Sequence, residues 1–552
     1  MQVELILLIL SLLFFASIFT DKIGYRLGLP ALLLFLAVGM MFGPEGFGKL
    51  FTASGAGLIS AINIGSAQAI GTVALCIILF SGGLDTKISD IQPVLLPGIT
   101  LATLGVLLTA VTTAVVTYFI FDWMYAVASV SIWVALLIAS TMSSTDSASV
   151  FSLLRTNGIR LKHNLRPLLE LESGANDPMA YILTITLIGV VTGVGDVSGM
   201  QIIRSVVVQL VMGSVIGFGF GKGVVELLKR VRFNNESLYP IMVLTACIFI
   251  FAVTYFLAGN PYLAVYIGGL IIGNNKFTKK RQTKSFFDGL TWLSQLVMFL
   301  MLGLLVKPHE LFSLKVLLPC LIISIVMVLF SRPLSVFICM LPFRKQFKQR
   351  DRLLLSWVGL KGAVPIIFAI LCVANNVPNA DLLFNVVFMC TIVSLLVQGM
   401  TVSWMANALK LAMPADEDGK LQYFDIDLPE DIESSAWERV VTDEVLQDGK
   451  RLMDQHIPKH TLVIMVRRGE NFFVPRGDTE LQAGDKLLII SDNNAEKVVQ
   501  EIEDEEEHIL AHWGLQMLHH TSEFARMKLR KLIEQQRERR LKRQNKKKNI
   551  EQ

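Results

Sequence analysis

Apolar residues form long runs over most of the chain and then stop. From Met1 to about Met413 the runs reach roughly 20 residues, the length an α-helix needs to cross about 30 Å of hydrocarbon. After Pro414 charged residues dominate. The pattern predicts a transmembrane domain over residues 1–413, followed by a soluble tail.

Thirteen apolar segments are candidate spanning helices. They cover residues 4–20, 29–43, 61–83, 93–121, 125–152, 166–193, 201–229, 239–258, 261–274, 287–306, 311–341, 353–374 and 381–411. We therefore predict an all-α polytopic membrane protein of about thirteen helices.

Basic residues are concentrated in alternate loops. These loops contain residues 22–26, 87, 155–166, 229–232, 276–284 and 344–352. By the positive-inside rule they are cytoplasmic, which places the N-terminus outside and the tail inside. The N-terminus has no basic n-region, so we interpret the first helix as retained and not as a signal peptide.

Composition adds two expectations. Hydrophobic residues make up 53% of the chain and charged residues 17%, against about 25% charged in soluble proteins. All six cysteines lie in apolar stretches, which argues against a disulfide framework or a zinc site. We expect no cofactor.

A carboxylate lies near the middle of the sixth predicted helix. Asp177 follows Arg166, at the cytoplasmic start, at a depth of roughly 16 Å. Ser173 is one turn earlier on the same face, while Glu172 and Asn176 form a second pair about 100° away. Because charge inside a bilayer is costly, Asp177 is a candidate functional carboxylate.

The fifth helix is unusually polar. Residues 140–149 contain seven hydroxyls and the carboxylate of Asp146. This composition favours a broken helix beside a water-filled cavity. The alternative is a Ser/Thr-rich packing face between helices, but such a face gives Asp146 no role.

The twelfth helix carries a second interruption signal. Pro365 leaves the Lys361 carbonyl without its usual partner, and we expect Gly359 and Gly362 to loosen the turn. Paired interruptions in two halves point to a transporter site, with helices 1–6 and 8–13 as inverted repeats. Asp146 and Lys361 would offset the exposed helix ends.

One arginine, Arg332, lies well inside a predicted span. A buried guanidinium needs a carboxylate partner. Glu172 is our choice because it does not face the side of Ser173 and Asp177. We expect this pair to hold helices together and not to carry ions.

These motifs resemble the monovalent cation:proton antiporters, and most closely their NhaP branch. The resemblance rests on Asn176-Asp177, Thr145-Asp146, the segments 359–363 and 80–84, and their order over about 400 residues. It implies an NhaA-like antiporter fold with two crossed interrupted helices. It also implies a homodimer in the inner membrane of a bacterial cell.

The resemblance further implies roles for single residues. Asp177 would bind the cation and the proton alternately. Ser173 and the Thr145 backbone would help coordinate the ion, with Asn176 and Asp146 in support. Glu172 and Arg332 would match the structural ion pair of the family.

The tail contains a predicted α+β domain over residues 421–505. Strand-like runs occur at 462–466, 472–474 and 486–490, separated by Gly-containing turns. The run 473–487 is similar to the TrkA-C domain, which implies a small-molecule ligand. The alternative is a domain for stability or dimerisation alone.

Residues 506–552 form a charged extension. Segment 526–548 contains twelve basic residues, which predicts a solvated helix lying on anionic lipid. Nucleic-acid binding is not expected, because no aromatic residues are interleaved with the basic ones.

Two other classes of protein compete with an antiporter. A cation channel needs a continuous pore and a selectivity filter, which one buried aspartate beside paired helix breaks does not suit. An aspartyl protease would be an enzyme using Asp196, but that residue falls in a short outer loop and lacks a facing partner. We expect a transporter and no enzyme.

The transported cation is less sharply indicated. The TrkA-C resemblance favours potassium, and sodium is the alternative. Asn176 stands where an electrogenic relative would have a second aspartate, and no histidine lies in a predicted span. We therefore expect electroneutral exchange of one cation for one proton.

Overall fold

The computed structural model describes eleven stretches of the chain. They are residues 2–27, 30–43, 45–46, 64–124, 130–193, 199–414, 436–441, 446, 450–455, 461–469 and 471–491. The chain divides into two compact units, Met1–Pro414 and Ala415–Gln552. Each unit is described separately below.

The first unit is built from helices, which we number by membrane span. The uninterrupted ones are α1 (Gln2–Leu27), α2 (Ala31–Phe42), α3 (Ile64–Asp85), α4 (Ile88–Trp123), α6 (Leu165–Thr192), α7 (Gly199–Arg230), α8 (Leu238–Phe256), α9 (Pro261–Gly273), α10 (Lys280–Leu305), α11 (Val316–Cys339) and α13 (Ala380–Ala408).

Two further helices are interrupted. The fifth consists of α5a (Ile132–Thr141) and α5b (Ser147–Thr156), and the twelfth of α12a (Gln349–Trp357) and α12b (Val364–Ala374). Within the described residues, eight helices are long and apolar enough to span a membrane, and five apolar helices are shorter. The predicted polytopic fold with two interrupted helices is confirmed.

Several helix starts differ from the predictions, and two of them lie in polar sequence. Helix α10 begins at Lys280 instead of residue 287, and α12a begins at Gln349 instead of residue 353. Helical hydrogen bonding continues where the chain is too polar for hydrocarbon, so hydropathy marks the span and not the helix. Asp351 fixes the start of α12a by accepting the Lys348 N–H at 2.7 Å.

Glycines allow several helices to approach backbone to backbone. A Cβ atom on Gly39 would lie 2.3 Å from the Leu300 carbonyl oxygen, and one on Gly303 equally close to that of Leu36. Helices α2 and α10 therefore pack without side chains between them. Gly217 of α7 meets the Ala264 carbonyl of α9 in the same way.

A short two-stranded sheet joins the segment after α5b to the segment after α13. Strand β1 (Ile159–Leu161), between α5b and α6, pairs antiparallel with β2 (Ala412–Pro414), which follows α13. The connection into α6, the helix of Asp177, is thereby anchored to the end of the membrane unit.

The second unit contains an antiparallel sheet. Its strands β3 (Ala436–Val440), β4 (Thr461–Arg468), β5 (Asn471–Phe473) and β6 (Lys486–Ser491) lie in the order β3-β6-β4-β5. The three predicted strands are confirmed, whereas β3 was missed because its alternation of apolar and charged residues is short. The segment 506–552, with its predicted helix, lies outside the described residues.

A buried ion pair links strand β4 of this domain to the residue before β6. The Asp485 carboxylate, which is almost fully buried, accepts two hydrogen bonds from the Arg468 guanidinium at 2.7 and 2.9 Å and one from the Gln482 N–H. Burial by itself raises the pKa of Asp485, but these hydrogen bonds outweigh it and hold the pKa below its usual range.

Candidate ion-binding site

The two interrupted helices meet at their breaks. The Asp146 N–H, at the end of the first break, donates a hydrogen bond of 2.8 Å to the Leu360 carbonyl in the second. Both groups lack a helical partner because their helices are broken there. The predicted crossing of the two interruptions is thus present in the structure.

Charged side chains lie at the helix ends created by the breaks. The Lys361 ammonium donates to the Ser144 carbonyl at 2.9 Å, beyond the C-terminal end of α5a. Asp146 caps α5b by accepting the Ser149 N–H at 3.2 Å and the Ser149 hydroxyl at 2.5 Å. Each charge has the sign that offsets its helix dipole.

Asp177 faces this crossing from α6. Its side chain is buried, and its carboxylate accepts a hydrogen bond from the Ser144 hydroxyl. Among the described residues Ser144 is the only hydrogen-bond donor to this carboxylate. The remaining lone pairs of Asp177 are therefore open to an ion or a proton.

Ser144 was not among the residues predicted from the sequence. It is one of seven hydroxyls in residues 140–149, and nothing in the sequence separates it from the others. The break after Thr141 turns the Ser144 hydroxyl toward α6, while the neighbouring Ser143 hydroxyl donates to the Ser140 carbonyl of its own helix. Only a break of known shape could have identified it.

Ser173 lies on the other side of the same break. Its hydroxyl donates to the Thr145 carbonyl at 2.9 Å and accepts the Ser147 N–H at 3.1 Å. Ser173 therefore links α6 to both edges of the interruption. The structure brings Ser173 and the Thr145 backbone together beside Asp177, and their coordination of an ion stays a prediction.

Asn176 supports the break and leaves an acceptor free. Its amide nitrogen donates to the Thr145 hydroxyl at 2.6 Å, and its side chain is fully buried. Its amide oxygen has no hydrogen-bond donor among the described residues. A buried neutral oxygen without a donor is a suitable ligand for a monovalent cation.

Glu172 and Arg332 form a buried ion pair. The Arg332 Nη2 atom lies 2.5 Å from Glu172 Oε1, and both side chains are at least 95% buried. The contact is an ion pair without hydrogen-bond alignment, since neither carboxylate oxygen has a hydrogen bond within the described part of the chain. The pair joins α6 to α11.

The glycines of the second break have a steric role. A Cβ atom on Gly359 would lie 2.9 Å from Arg332 Nε, and one on Gly362 would lie 2.6 Å from Asp146 Oδ2. The expectation that these glycines loosen the turn stays a prediction. They make room for the two charged side chains that pack against the break.

The surroundings of Asp177 differ along α6. Toward the N-terminal end, Glu170 pairs with Arg166 at 2.9 Å in a partly exposed position. Toward the C-terminal end, Tyr181 packs edge-on against Tyr262 of α9, with ring centroids 4.9 Å apart. Phe368 of α12b packs against both tyrosines, so an aromatic cluster lies on the C-terminal side of Asp177.

Comparisons with known proteins agree with the polytopic fold. The family model "Sodium/hydrogen exchanger, transmembrane" matches residues 9–408, and the model "TrkA-C domain" matches residues 438–502. The solved structure of the sodium proton antiporter MjNhaP1 from Methanocaldococcus jannaschii superposes with a TM-score of 0.61 at 21% identity. It covers 74% of this chain and 99% of that one.

Curated relatives extend over most of the chain. The K⁺/H⁺ antiporter NhaP of Alkalimonas amylolytica is 37% identical over 494 residues, which is 88% of this chain and 81% of the relative. NhaP2 of Shewanella oneidensis, also named a K⁺/H⁺ antiporter, is 36% identical over 88% of this chain and 80% of its own length. The Na⁺/H⁺ antiporter NhaH of Halobacillus aidingensis is 27% identical over 56% of this chain and 76% of the relative.

Fold and site define a multi-pass membrane antiporter that exchanges a monovalent cation for protons. Within that class, the chain belongs to the sodium/hydrogen exchanger family and carries a C-terminal TrkA-C domain. The resemblance to the NhaP branch inferred from the sequence is confirmed.

Proposed function

We propose that the protein is an electroneutral potassium/proton antiporter working by alternating access. One observation carries the proposal. The buried Asp177 carboxylate faces the crossed helix breaks with Ser144 as its only hydrogen-bond donor among the described residues. It is a single exchangeable negative charge at the point where the two interrupted helices meet.

Competition between ions would couple the two fluxes. A proton bound to Asp177 removes the charge that attracts the cation, and a bound cation disfavours protonation. The cation would share Asp177 with neutral oxygens, namely those of Ser144, Asn176 and the Thr145 backbone. Exchange follows if the site changes sides when loaded with either ion but not when empty.

The other buried charges would remain fixed during transport. Arg332 neutralises Glu172, and Lys361 and Asp146 are each bound to a helix end. None of these four side chains is needed as a second exchangeable charge. This supports a stoichiometry of one cation for one proton.

The asymmetry around Asp177 suggests which side is closed. By the positive-inside rule the N-terminal end of α6 is cytoplasmic. The packed rings of Tyr181, Tyr262 and Phe368 would then close the outer side. In this state Asp177 would exchange ions with the cytoplasm.

Potassium is favoured over sodium by the pattern of relatives. Those that match 88% of the chain are named K⁺/H⁺ antiporters, whereas the Na⁺/H⁺ antiporter NhaH matches 56%. The TrkA-C domain would bind a small regulatory ligand. We further propose a homodimer in a bacterial inner membrane, with the N-terminus outside, the tail cytoplasmic and segment 526–548 on anionic lipid.

The decisive experiment measures cation-dependent collapse of a preset pH gradient in proteoliposomes. The full-length protein is titrated with potassium and, separately, with sodium, and protein-free vesicles serve as the control. Saturable collapse with potassium at lower concentration than with sodium is the expected result. A response to sodium alone would replace the proposed substrate, and no response to either ion would overturn the proposed function.

A further inference from the structure

The last spanning helix contains an irregular turn beside the second break. Residues Leu395–Gly399 of α13 form a π-helical turn, a rare feature that occurs frequently at functional sites. Gln398 lies in this turn and Ser394 directly before it, and both side chains are at least 99% buried. A buried amide inside a membrane-spanning helix is costly unless its polar atoms are bound.

Both polar ends of Gln398 are bound toward the break in the twelfth helix. Its amide nitrogen donates to the Trp357 carbonyl at 2.8 Å, where α12a ends. Its amide oxygen accepts the Ser394 hydroxyl at 2.6 Å, and that hydroxyl oxygen accepts the Lys361 N–H at 2.9 Å. These three hydrogen bonds hold two backbone groups that the interruption leaves without helical partners.

The contacts continue from the break to the ion-binding carboxylate. The Lys361 ammonium donates to the Ser144 carbonyl at 2.9 Å, and the Ser144 hydroxyl donates to Asp177. An unbroken series of hydrogen bonds, joined by the covalent bonds within Lys361 and Ser144, thus runs from Gln398 to Asp177. Glutamine suits its end of the series because it offers a donor and an acceptor at once.

We propose that Gln398 and Ser394 are positioning residues for the ion-binding site. They fix the backbone between Trp357 and Lys361, so that the Lys361 ammonium keeps Ser144 against Asp177. Neither residue would touch the cation. The inference rests on the proposed function only in taking Asp177 as the residue that binds the ion.

The test uses Gln398→Met and Ser394→Ala in the full-length protein. Thr391→Val is the matched control, because Thr391 is equally buried in α13 and its hydroxyl donates only to the Val387 carbonyl of its own helix. In proteoliposomes, both test variants should raise the apparent KM for potassium about tenfold, as loss of outer partners does at metal sites. The maximal rate per folded protein should change far less, and Thr391→Val should match wild type.

Two further variants separate positioning from mere stability. Ser394→Thr keeps the hydroxyl and should restore the wild-type KM. In a Lys361→Met background, Gln398→Met should not weaken cation binding further, measured as potassium-dependent thermal stabilisation of the purified protein. Unchanged KM with a lowered melting temperature in both test variants, or fully additive effects with Lys361→Met, would overturn the proposal.

The outcome is distinguishable from failure of the proposed function. If wild-type protein transports sodium and not potassium, the same KM comparison is made with sodium, and only the substrate assignment fails. If wild type carries potassium while Gln398→Met and Ser394→Ala keep its KM, the function stands and the positioning role is wrong. Should Gln398→Met not fold, Ser394→Ala and Ser394→Thr decide the question alone.

Discussion

The Asp146 N–H and the Leu360 carbonyl are joined by a hydrogen bond of 2.8 Å across the two helix breaks. One bond thus pairs a donor and an acceptor that both interrupted helices leave unpaired, which makes the two breaks mutually dependent. The site is therefore a property of the crossing and not of either helix. A substitution at one break should therefore alter the geometry of the other.

The first prediction concerns the ion-binding carboxylate. Asp177→Asn should reduce cation-dependent proton flux to the level of protein-free vesicles, because the amide keeps the shape and can still accept from Ser144 but carries no exchangeable charge. The protein should still fold. Flux is measured in proteoliposomes and folding by the melting temperature in detergent.

Glu170→Gln is the control for this charge loss. Glu170 lies two turns before Asp177 on α6, partly exposed and paired with Arg166. Its neutralisation should leave the saturating flux close to wild type. Normal flux in a folded Asp177→Asn protein would move the ion site elsewhere.

The second prediction concerns Ser144. Ser144→Ala should raise the apparent KM for the cation about tenfold, because a hydrogen bond to a charged group contributes about 1.5–3 kcal/mol. Ser143→Ala is the matched control, since the Ser143 hydroxyl is buried one residue away but donates to its own helix. Equal KM values for both variants would show that Ser144 is not a ligand.

The contrast between Ser144 and Asp177 shows how far sequence reasoning reaches. Depth and helical periodicity single out Asp177, because it is the carboxylate of α6 that lies at mid-depth on the same face as the Ser173 hydroxyl. Ser144 is hidden among equivalent hydroxyls, and its role depends on where the helix breaks. Ser394 and Gln398 were missed for a related reason, as they act through backbone groups of a different helix, which no local pattern records.

The overall architecture could be predicted from the sequence more fully than the site residues. Apolar run length fixes the number of spans, and the glycine and proline residues of 359–365 mark the second interruption. The reason assigned to Gly359 was incomplete, because its contact with Arg332 is a long-range packing relationship. Strand β3 was missed because a short edge strand has too few residues to show a period.

The third prediction concerns the buried ion pair of Glu172 and Arg332. Either single change, Glu172→Gln or Arg332→Met, should destabilise the protein by about 3–5 kcal/mol, because it leaves one buried charge uncompensated. The double variant Glu172→Met/Arg332→Met should be less destabilised than either single one. Thermal melts of the three variants measure this, and a double variant equal to the sum of the singles would exclude the coupling.

The fourth prediction concerns the tail domain. Asp485→Asn should destabilise this domain by about 1–3 kcal/mol, because it weakens the charge-assisted bonds from Arg468. The lowered pKa of Asp485 means that the folded domain binds fewer protons than the unfolded one. Its contribution is therefore fully present above the unfolded pKa of about 4 and is lost as the pH falls through the folded value.

Pulse proteolysis of the full-length protein in urea reports this stability through loss of the tail. Between pH 8 and pH 5 the contribution of Asp485 to the stability of the wild-type domain should not change, because the carboxylate stays ionised in both the folded and the unfolded state. Asp478→Asn, in an exposed turn, should behave as wild type. If the Asp485→Asn protein resisted proteolysis to the same extent as the Asp478→Asn protein, the ion pair would not stabilise the domain.

The last prediction is that exchange is electroneutral. The site offers one exchangeable charge, because Asn176 occupies the position next to Asp177 and donates its amide to Thr145. Glu172 is balanced by Arg332, while Lys361 and Asp146 stay bound at helix ends, so their charges do not vary through the cycle.

In proteoliposomes with equal cation and pH on both sides, a membrane potential set by a gradient of a permeant anion should drive no proton movement. A pH gradient in the same vesicles should drive cation exchange at the full rate, which shows that the protein is active. If the potential alone moved protons through wild type but not through Asp177→Asn, more than one proton would be exchanged per cation, and a second titrating group would have to share the site with Asp177.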